Sequence, residues 1–173
     1  MKVFIIGFMG SGKSTAGKRL ARLLALPFLD ADSLAENAAG ASVSDIFAKS
    51  GESRFRELER AVLNDFAASD ESAVFATGGG MPLHFDNMNR MLAAGVVVWL
   101  DPAPGVLAQR LEKKAQSRPL ISGLSGTALR EKISDMLKVR NPIYARAHIR
   151  TDAADLNAAR LKTLAEEIRN YSR

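Results

Sequence analysis

Nine residues near the start of the chain can hold a polyphosphate: Gly7-Phe8-Met9-Gly10-Ser11-Gly12-Lys13-Ser14-Thr15. They fit G-x-x-x-x-G-K-[ST], the phosphate-binding P-loop. Backbone N–H groups of Gly10, Ser11, Gly12 and their neighbours can turn inward and approach an anion closely. Lys13 adds a point charge for β- and γ-phosphates, and the Ser14 hydroxyl is a candidate Mg²⁺ ligand. Thr15 completes the set at the start of the following helix, whose N-terminus favours an anion. The chemistry this implies is nucleotide binding, with phosphoryl transfer as its natural extension.

Other candidates lie further along. In Asp30-Ala31-Asp32, two carboxylates two residues apart point the same way if the chain is extended. Both can then face the phosphate site at the carboxyl end of a strand. Alternatively, Asp32 caps a helix starting at Ser33. Arg56, Glu59 and Arg60 stand at i, i+3 and i+4 on a helix. Glu59 sits at the edge of an apolar face, where a carboxylate needs a partner, and Arg56 is within reach. Gly78-Gly79-Gly80 follows a strand directly, which lets backbone pass close to a ligand. Arg118 lies in an aperiodic stretch over 113–126, the length of a lid or binding loop, where it can reach a transferring phosphoryl group. Asp101 ends an apolar run in the manner of a Walker B segment. Pro102 and Pro104 follow it, so it is read as a strand end that mimics a metal ligand. Asp30 and Asp32 compete with it for the metal role.

These residues need a scaffold that brings strand ends together. Lys2–Ile6, Pro27–Asp30, Ala73–Ala76, Val96–Asp101 and, weakly, Ile149–Thr151 read as strands. Helical periodicity separates them: Ala16, Leu20, Leu23 and Leu24; a short helix over 43–50 stopped at Gly51; Phe55, Leu58, Val62 and Phe66; Phe85, Met88 and Leu92. A helix from about Ala103 carries Arg110. The next carries Ile133, Met136, Leu137 and Arg140 and is expected to break at Asn141-Pro142. A turn over 144–147 follows, and Leu161, Leu164, Ala165 and Ile168 mark a closing amphipathic helix. Alternating strands and helices predict an α/β domain with a parallel sheet.

Composition narrows the function. A chain of 173 residues, 47% apolar and 25% charged, suits one soluble domain spanning 1–173. The absence of cysteine and the presence of only two histidines exclude disulfides, thiolate metal sites and a histidine-rich centre. No apolar run approaches the roughly 20 residues of a membrane span. A cytoplasmic protein with no membrane or nucleic-acid partner is expected. From Arg110 to Arg150 there are ten Lys/Arg against three Asp/Glu. Without interleaved aromatics, this basic stretch points to small phosphorylated or carboxylated ligands.

Taken in order, six motifs resemble shikimate kinase, of the nucleoside-monophosphate-kinase-like group of P-loop folds. They are Gly7 to Ser14, Asp30-Ala31-Asp32, Gly51-Glu52-x-x-Phe55-Arg56-x-x-Glu59, Gly78-Gly79-Gly80, Arg118-Pro119-Leu120 and Arg140-x-Pro142-x-Tyr144. The resemblance runs over roughly residues 3 to 151. It implies a three-layer fold with five parallel strands in the order 2-3-1-4-5, a mobile lid over about 113–126 and a shikimate-binding region over about 32–60. It also implies transfer of the γ-phosphoryl of ATP to the 3-hydroxyl of shikimate with Mg²⁺, by a monomer. Lys13 and the loop amides would hold ATP, with Ser14 on the metal and Asp30 supporting it through water. Asp32 would bind the acceptor hydroxyls, and Arg56, Arg140 and the Gly78–Gly80 backbone its carboxylate. Glu59 would orient Arg56. Arg118 would cover the γ-phosphate, and Arg110 would pack on adenine.

The physics agrees with such a ligand. Guanidinium groups bind carboxylates bidentately, and one Asp can accept from two hydroxyls. Two other readings remain. One is a kinase of another small acceptor on the same fold, such as gluconate or a nucleotide. The Phe55-Arg56-x-x-Glu59 segment argues against gluconate. The other is a nucleotide-dependent switch, but an Asn-Lys-x-Asp guanine signature is missing.

Overall fold

The computed structural model describes residues 1–112 and 119–171. Arg118 and the 113–118 part of the expected lid lie outside the described residues. Five strands form one parallel sheet: β1 (Lys2–Ile6), β2 (Phe28–Asp30), β3 (Ala73–Ala76), β4 (Val96–Leu100) and β5 (Ile149–Thr151). Their order is β2-β3-β1-β4-β5, as the resemblance implied. The central strands read as unbroken apolar runs because helices cover both faces.

The pleat sorts these runs between two cores. Val3 and Ile5 of β1 join Val74, Val96 and Val98 under α1 (Lys13–Leu24) and α7 (Ala158–Tyr171). Phe4 and Ile6 face the other way, with Phe75, Val97 and Trp99. That face is covered by α3 (Val43–Ala68), α4 (Asn87–Ala94) and Tyr144 at the end of α6 (Gly126–Tyr144). Phe66 stacks on Phe75 at 5.1 Å between centroids and meets Phe4 edge-on at 5.6 Å. Full burial of each such ring is worth about 1.5–3 kcal/mol, so this cluster fixes α3 on the sheet. A third core packs Phe8 and Met9 of the phosphate loop against α5 (Pro104–Glu112) and α6. The loop is therefore anchored from below by its own apolar residues.

Three local expectations change and one, the stop at Gly51, holds. The helix after β2 is α2 (Ala31–Ala39), and its cap is Asp30, not Asp32: the Asp30 carboxylate accepts from Asp32 N–H at 3.1 Å. Asp32 thus stands in the first turn of a helix, where the dipole favours its charge, and not on extended chain. The two helices expected around Gly51 are present: α3 carries both, interrupted at Gly51 by non-helical backbone (φ 79°). Phe85 lies ahead of α4, exposed and with φ 53°, so of that stripe only Met88 and Leu92 pack on the core. Pro142 does not break α6, which continues to Tyr144. Its missing N–H costs the last turn one bond, but Ala145 N–H still bonds Asn141 C=O at 2.8 Å and Tyr144 is buried in the core.

Candidate active site

The carboxyl ends of β1, β2 and β3 converge, as ligand-binding ends of parallel strands do. From β1 the chain enters the phosphate loop, with left-handed backbone at Gly10 (φ 79°) and Gly12 (φ 95°). Only glycine takes these angles without strain. The turn delivers the N-terminus of α1 to a cavity of about 650 Å³. Gly10, Ser11, Gly12, Lys13, Ser14 and Thr15 line it, with Asp30, Asp32 and Arg110. Lys13 Nζ donates to the carbonyls of Gly7 and Phe8 at 2.9 and 3.0 Å, which holds its charge over the loop. The buried Ser11 hydroxyl has no hydrogen-bond partner among the described residues, as expected of a group placed to serve a ligand.

Ser14 Oγ donates to Asp30 Oδ2 at 2.7 Å. The pair offers two hard oxygen donors beside the phosphate loop, the chemistry that suits Mg²⁺. Among the described residues no group of three or more His, Cys, Asp and Glu could cage an ion. Mg²⁺ bound with few protein ligands and phosphate oxygens does not need one.

A second cavity of about 250 Å³ opens beside the first. The two share Met9, Asp32 and Gly79 as walls. Arg56, Arg140, Glu59 and Gly78–Gly80 line the smaller one, with Phe47, Phe55 and Leu120. Arg56 and Arg140 are both buried, at 6% and 8% exposure, so their charges act in a poorly screened setting. Arg140 stacks over Phe8 at 5.0 Å and donates to Gly79 C=O at 3.3 Å. Tyr144 O–H donates to the same carbonyl. Burial pushes the Tyr144 hydroxyl up to about 12, so it remains a donor.

Glu59 is fully buried and accepts from Arg56 Nη1 at 2.6 Å. Burial lifts its carboxyl from 4.5 to about 7, against the pull of Arg56; the negative charges of Asp32 and Glu52 push upward too. Its second oxygen, Oε1, has no partner among the described residues. A Cβ on Gly78 would come within 2.0 Å of that oxygen and 3.1 Å of Asp32 Oδ1. A Cβ on Gly80 would come within 2.7 Å of Arg56 Nη2. The glycine run is therefore a closely fitted wall and not a slack turn.

The structure brings Lys13, Ser14, Asp30, Asp32, Arg56, Glu59, Gly78, Gly79, Gly80, Arg110 and Arg140 to this cleft. Asp101 lines neither cavity. Its Oδ2 accepts from Arg150 Nε at 2.9 Å and Nη2 at 2.6 Å, and Arg150 lies over Trp99. That is the strand-end role expected of it. Arg110 donates to the carbonyls of Gly10 (3.3 Å), Ser11 (3.4 Å), Ala153 (3.1 Å) and Ala154 (2.8 Å). It thus ties α5 to both the phosphate loop and the segment after β5. Sequence reasoning missed the cavity walls at Arg19, Thr77 and Ala153–Leu156. Arg19 stands on α1 directly after the loop, where its charge and spacing could have marked it, whereas the sheet order is what places Thr77 and Ala153–Leu156 there.

Comparison with known proteins gives a consistent picture. A shikimate kinase family model matches residues 9–171. The chain is 45% identical over 152 residues to a shikimate kinase of Parabacteroides distasonis, covering 88% of this chain and 87% of that one. The crystal structure of shikimate kinase from Bacteroides thetaiotaomicron superimposes with a TM-score of 0.87 at 35% identity, covering 99% of this chain and 97% of that chain. Shikimate kinase from Acinetobacter baumannii in complex with shikimate gives a TM-score of 0.82 at 34% identity, over 98% and 91% of the two chains.

Proposed function

The chain belongs to the shikimate kinase family, and from that premise we propose how its two cavities divide one reaction. The enzyme transfers the γ-phosphoryl of ATP to the 3-hydroxyl of shikimate. The products are ADP and shikimate 3-phosphate, on the route to chorismate and the aromatic amino acids. The observation that carries the division of labour is the meeting of a large, phosphate-loop cavity with a small, arginine-lined one at Asp32 and Gly79.

ATP occupies the larger cavity, its phosphates on the loop amides and Lys13. Arg110 borders the base. Mg²⁺ fits at Ser14, with Asp30 acting through water, and when bound would draw charge off the β- and γ-phosphates. Shikimate occupies the smaller cavity. Its carboxylate meets Arg56 and Arg140, and Glu59 holds the Arg56 fork in place. This orients the ring so that the 3-hydroxyl reaches Asp32 on the shared wall. The hydroxyl oxygen attacks the γ-phosphorus while the bond to the β,γ-bridging oxygen breaks and ADP leaves. The hydroxyl proton passes to Asp32 or to the transferred phosphoryl group. Phosphoryl transfer draws mainly on alignment and charge stabilisation, and fixing the acceptor from two sides supplies alignment. Arg118, in a lid over about 113–126, stabilises charge on the moving group, so Arg118→Ala should chiefly lower kcat.

The protein works as a single-domain monomer in the cytoplasm, without nucleic-acid or membrane partners. Among the described residues no helix is long and apolar enough to cross a membrane. The test is ADP release with ATP, Mg²⁺ and a panel of acceptors: shikimate, gluconate, nucleoside monophosphates and none. Turnover should depend on shikimate and on Mg²⁺. Turnover on another acceptor with none on shikimate would overturn the reading.

A further inference from the structure

Arg56 is already engaged by two carboxylates. Its Nη1 donates to Glu59 Oε2 at 2.6 Å, while Nε and Nη2 both donate to Glu52 Oε1, at 3.1 and 2.7 Å. Three of its five N–H donors are therefore in use, one on each nitrogen. The two partners differ in kind. The Glu59 side chain is fully buried, but that of Glu52 is 44% exposed. Glu52 is also the first residue after the bend at Gly51, at the start of the second half of α3, with solvent beside it.

Charge makes the arrangement unfavourable for an incoming acid. Around the smaller cavity stand two cations, Arg56 and Arg140, and two wall carboxylates, Asp32 and Glu59. Glu52 adds a third negative group on Arg56 itself. A ligand carboxylate arriving with Glu52 in place would share one guanidinium with two other carboxylates and meet an excess of like charge. Glu59 cannot yield, since it has no route to water. Glu52 can, because its side chain is 44% exposed and water can solvate the carboxylate once it leaves the buried Arg56.

On the reading that Arg56 receives the carboxylate of shikimate, we propose that Glu52 is an internal competitor for that site, displaced each time the acceptor binds. It occupies the Arg56 fork in the free enzyme and leaves it to the substrate. In doing so it sets a threshold that small anions, with one carboxylate and no hydroxyls for Asp32, do not pass. Glu52 is thus a specificity-determining residue that acts through Arg56, from outside the acceptor cavity.

The test uses calorimetric titration of shikimate, at fixed ionic strength, into wild type, Glu52→Gln, Glu52→Ala and Arg56→Ala. Inhibition by acetate is measured alongside. Glu52 is exposed, so its variants should fold normally. Removing its charge should tighten shikimate by about 2- to 5-fold or more, the lower figures being those of a fully exposed pair. Acetate should become a better inhibitor in both Glu52 variants, and ATP affinity should not move. If Glu52 only braces Arg56, both variants will bind shikimate more weakly, and the proposal falls while Arg56→Ala still shows the carboxylate site. Unchanged affinity in the Glu52 variants likewise overturns it. If Arg56→Ala leaves shikimate affinity intact, the carboxylate-site reading itself fails and takes the proposal with it.

Discussion

Gly78→Ala is the smallest change that should disable the acceptor site. The backbone of Gly78 does not lie in the left-handed region, so alanine is not excluded by conformation. The obstacle is space. The added methyl would sit 2.0 Å from Glu59 Oε1, which must retreat by roughly 1.4 Å to reach the 3.4 Å at which ordinary contact begins. Glu59 is fully buried and bound to Arg56 at 2.6 Å, so it cannot move alone. Its retreat displaces the Arg56 fork, and the 3.1 Å approach to Asp32 Oδ1 presses on the other substrate contact. Overpacking of this kind costs about 1–3 kcal/mol, or about 2–12 °C in Tm for a chain of this size. A misplacement near 1 Å costs about 10²-fold in rate. Coupled ADP release should show kcat/KM for shikimate down about 10²-fold, with KM for ATP nearly unchanged. Gly105→Ala is the control: nothing lies within 4 Å of its added methyl, and it should be neutral or slightly stabilising. A folded Gly78→Ala enzyme with normal kcat/KM for shikimate would refute the reasoning.

Lys13→Met should lower activity at least ~10³-fold, the scale of losing a preorganised charge, with the melting curve little changed; near-normal turnover would remove Lys13 from phosphate binding. Asp32→Asn should lose ~10²–10⁴ in kcat with ATP binding retained. Asp101→Asn should be mild, since it gives up only an ion pair with exposed Arg150; the reverse pattern in steady-state assays would exchange their roles. The raised Glu59 pKa has a stability signature. Its contribution is fully present below about 4.5 and lost as pH rises through about 7. Relative to Glu59→Gln, which does not titrate, wild type should therefore lose stability between pH 5 and 8, by on the order of 3 kcal/mol at full titration. Urea unfolding of both proteins checks this, and parallel pH profiles would contradict it.

Much of this was legible because the informative residues are local. The phosphate loop declares itself within nine residues, and the apolar runs of β1 and β4 announce buried strands. The Arg56–Glu59 pair follows from helical spacing. What was not legible depends on competition or on distant chain. Asp30 won the cap of α2 over Asp32, a contest two adjacent carboxylates leave open. Pro142 was tolerated because the core contacts of Tyr144 hold the last turn of α6 in place. The fit of Gly78 against Glu59 joins residues on β3's loop and α3. It appears only when the sheet sets them side by side.

The central claim is that Arg56 and Arg140 read the carboxylate of shikimate and thereby aim its hydroxyl at Asp32. The most direct test removes the charge from both partners in turn. Wild type and Arg56→Ala are assayed with shikimate and with its neutral carboxamide. With shikimate, loss of a charge-assisted bond of ~1.5–3 kcal/mol should raise KM about 10- to 150-fold. With the carboxamide the penalty of the substitution should shrink to a few-fold, since the interaction is already gone. An equal penalty for both acceptors would contradict the account and place the carboxylate elsewhere.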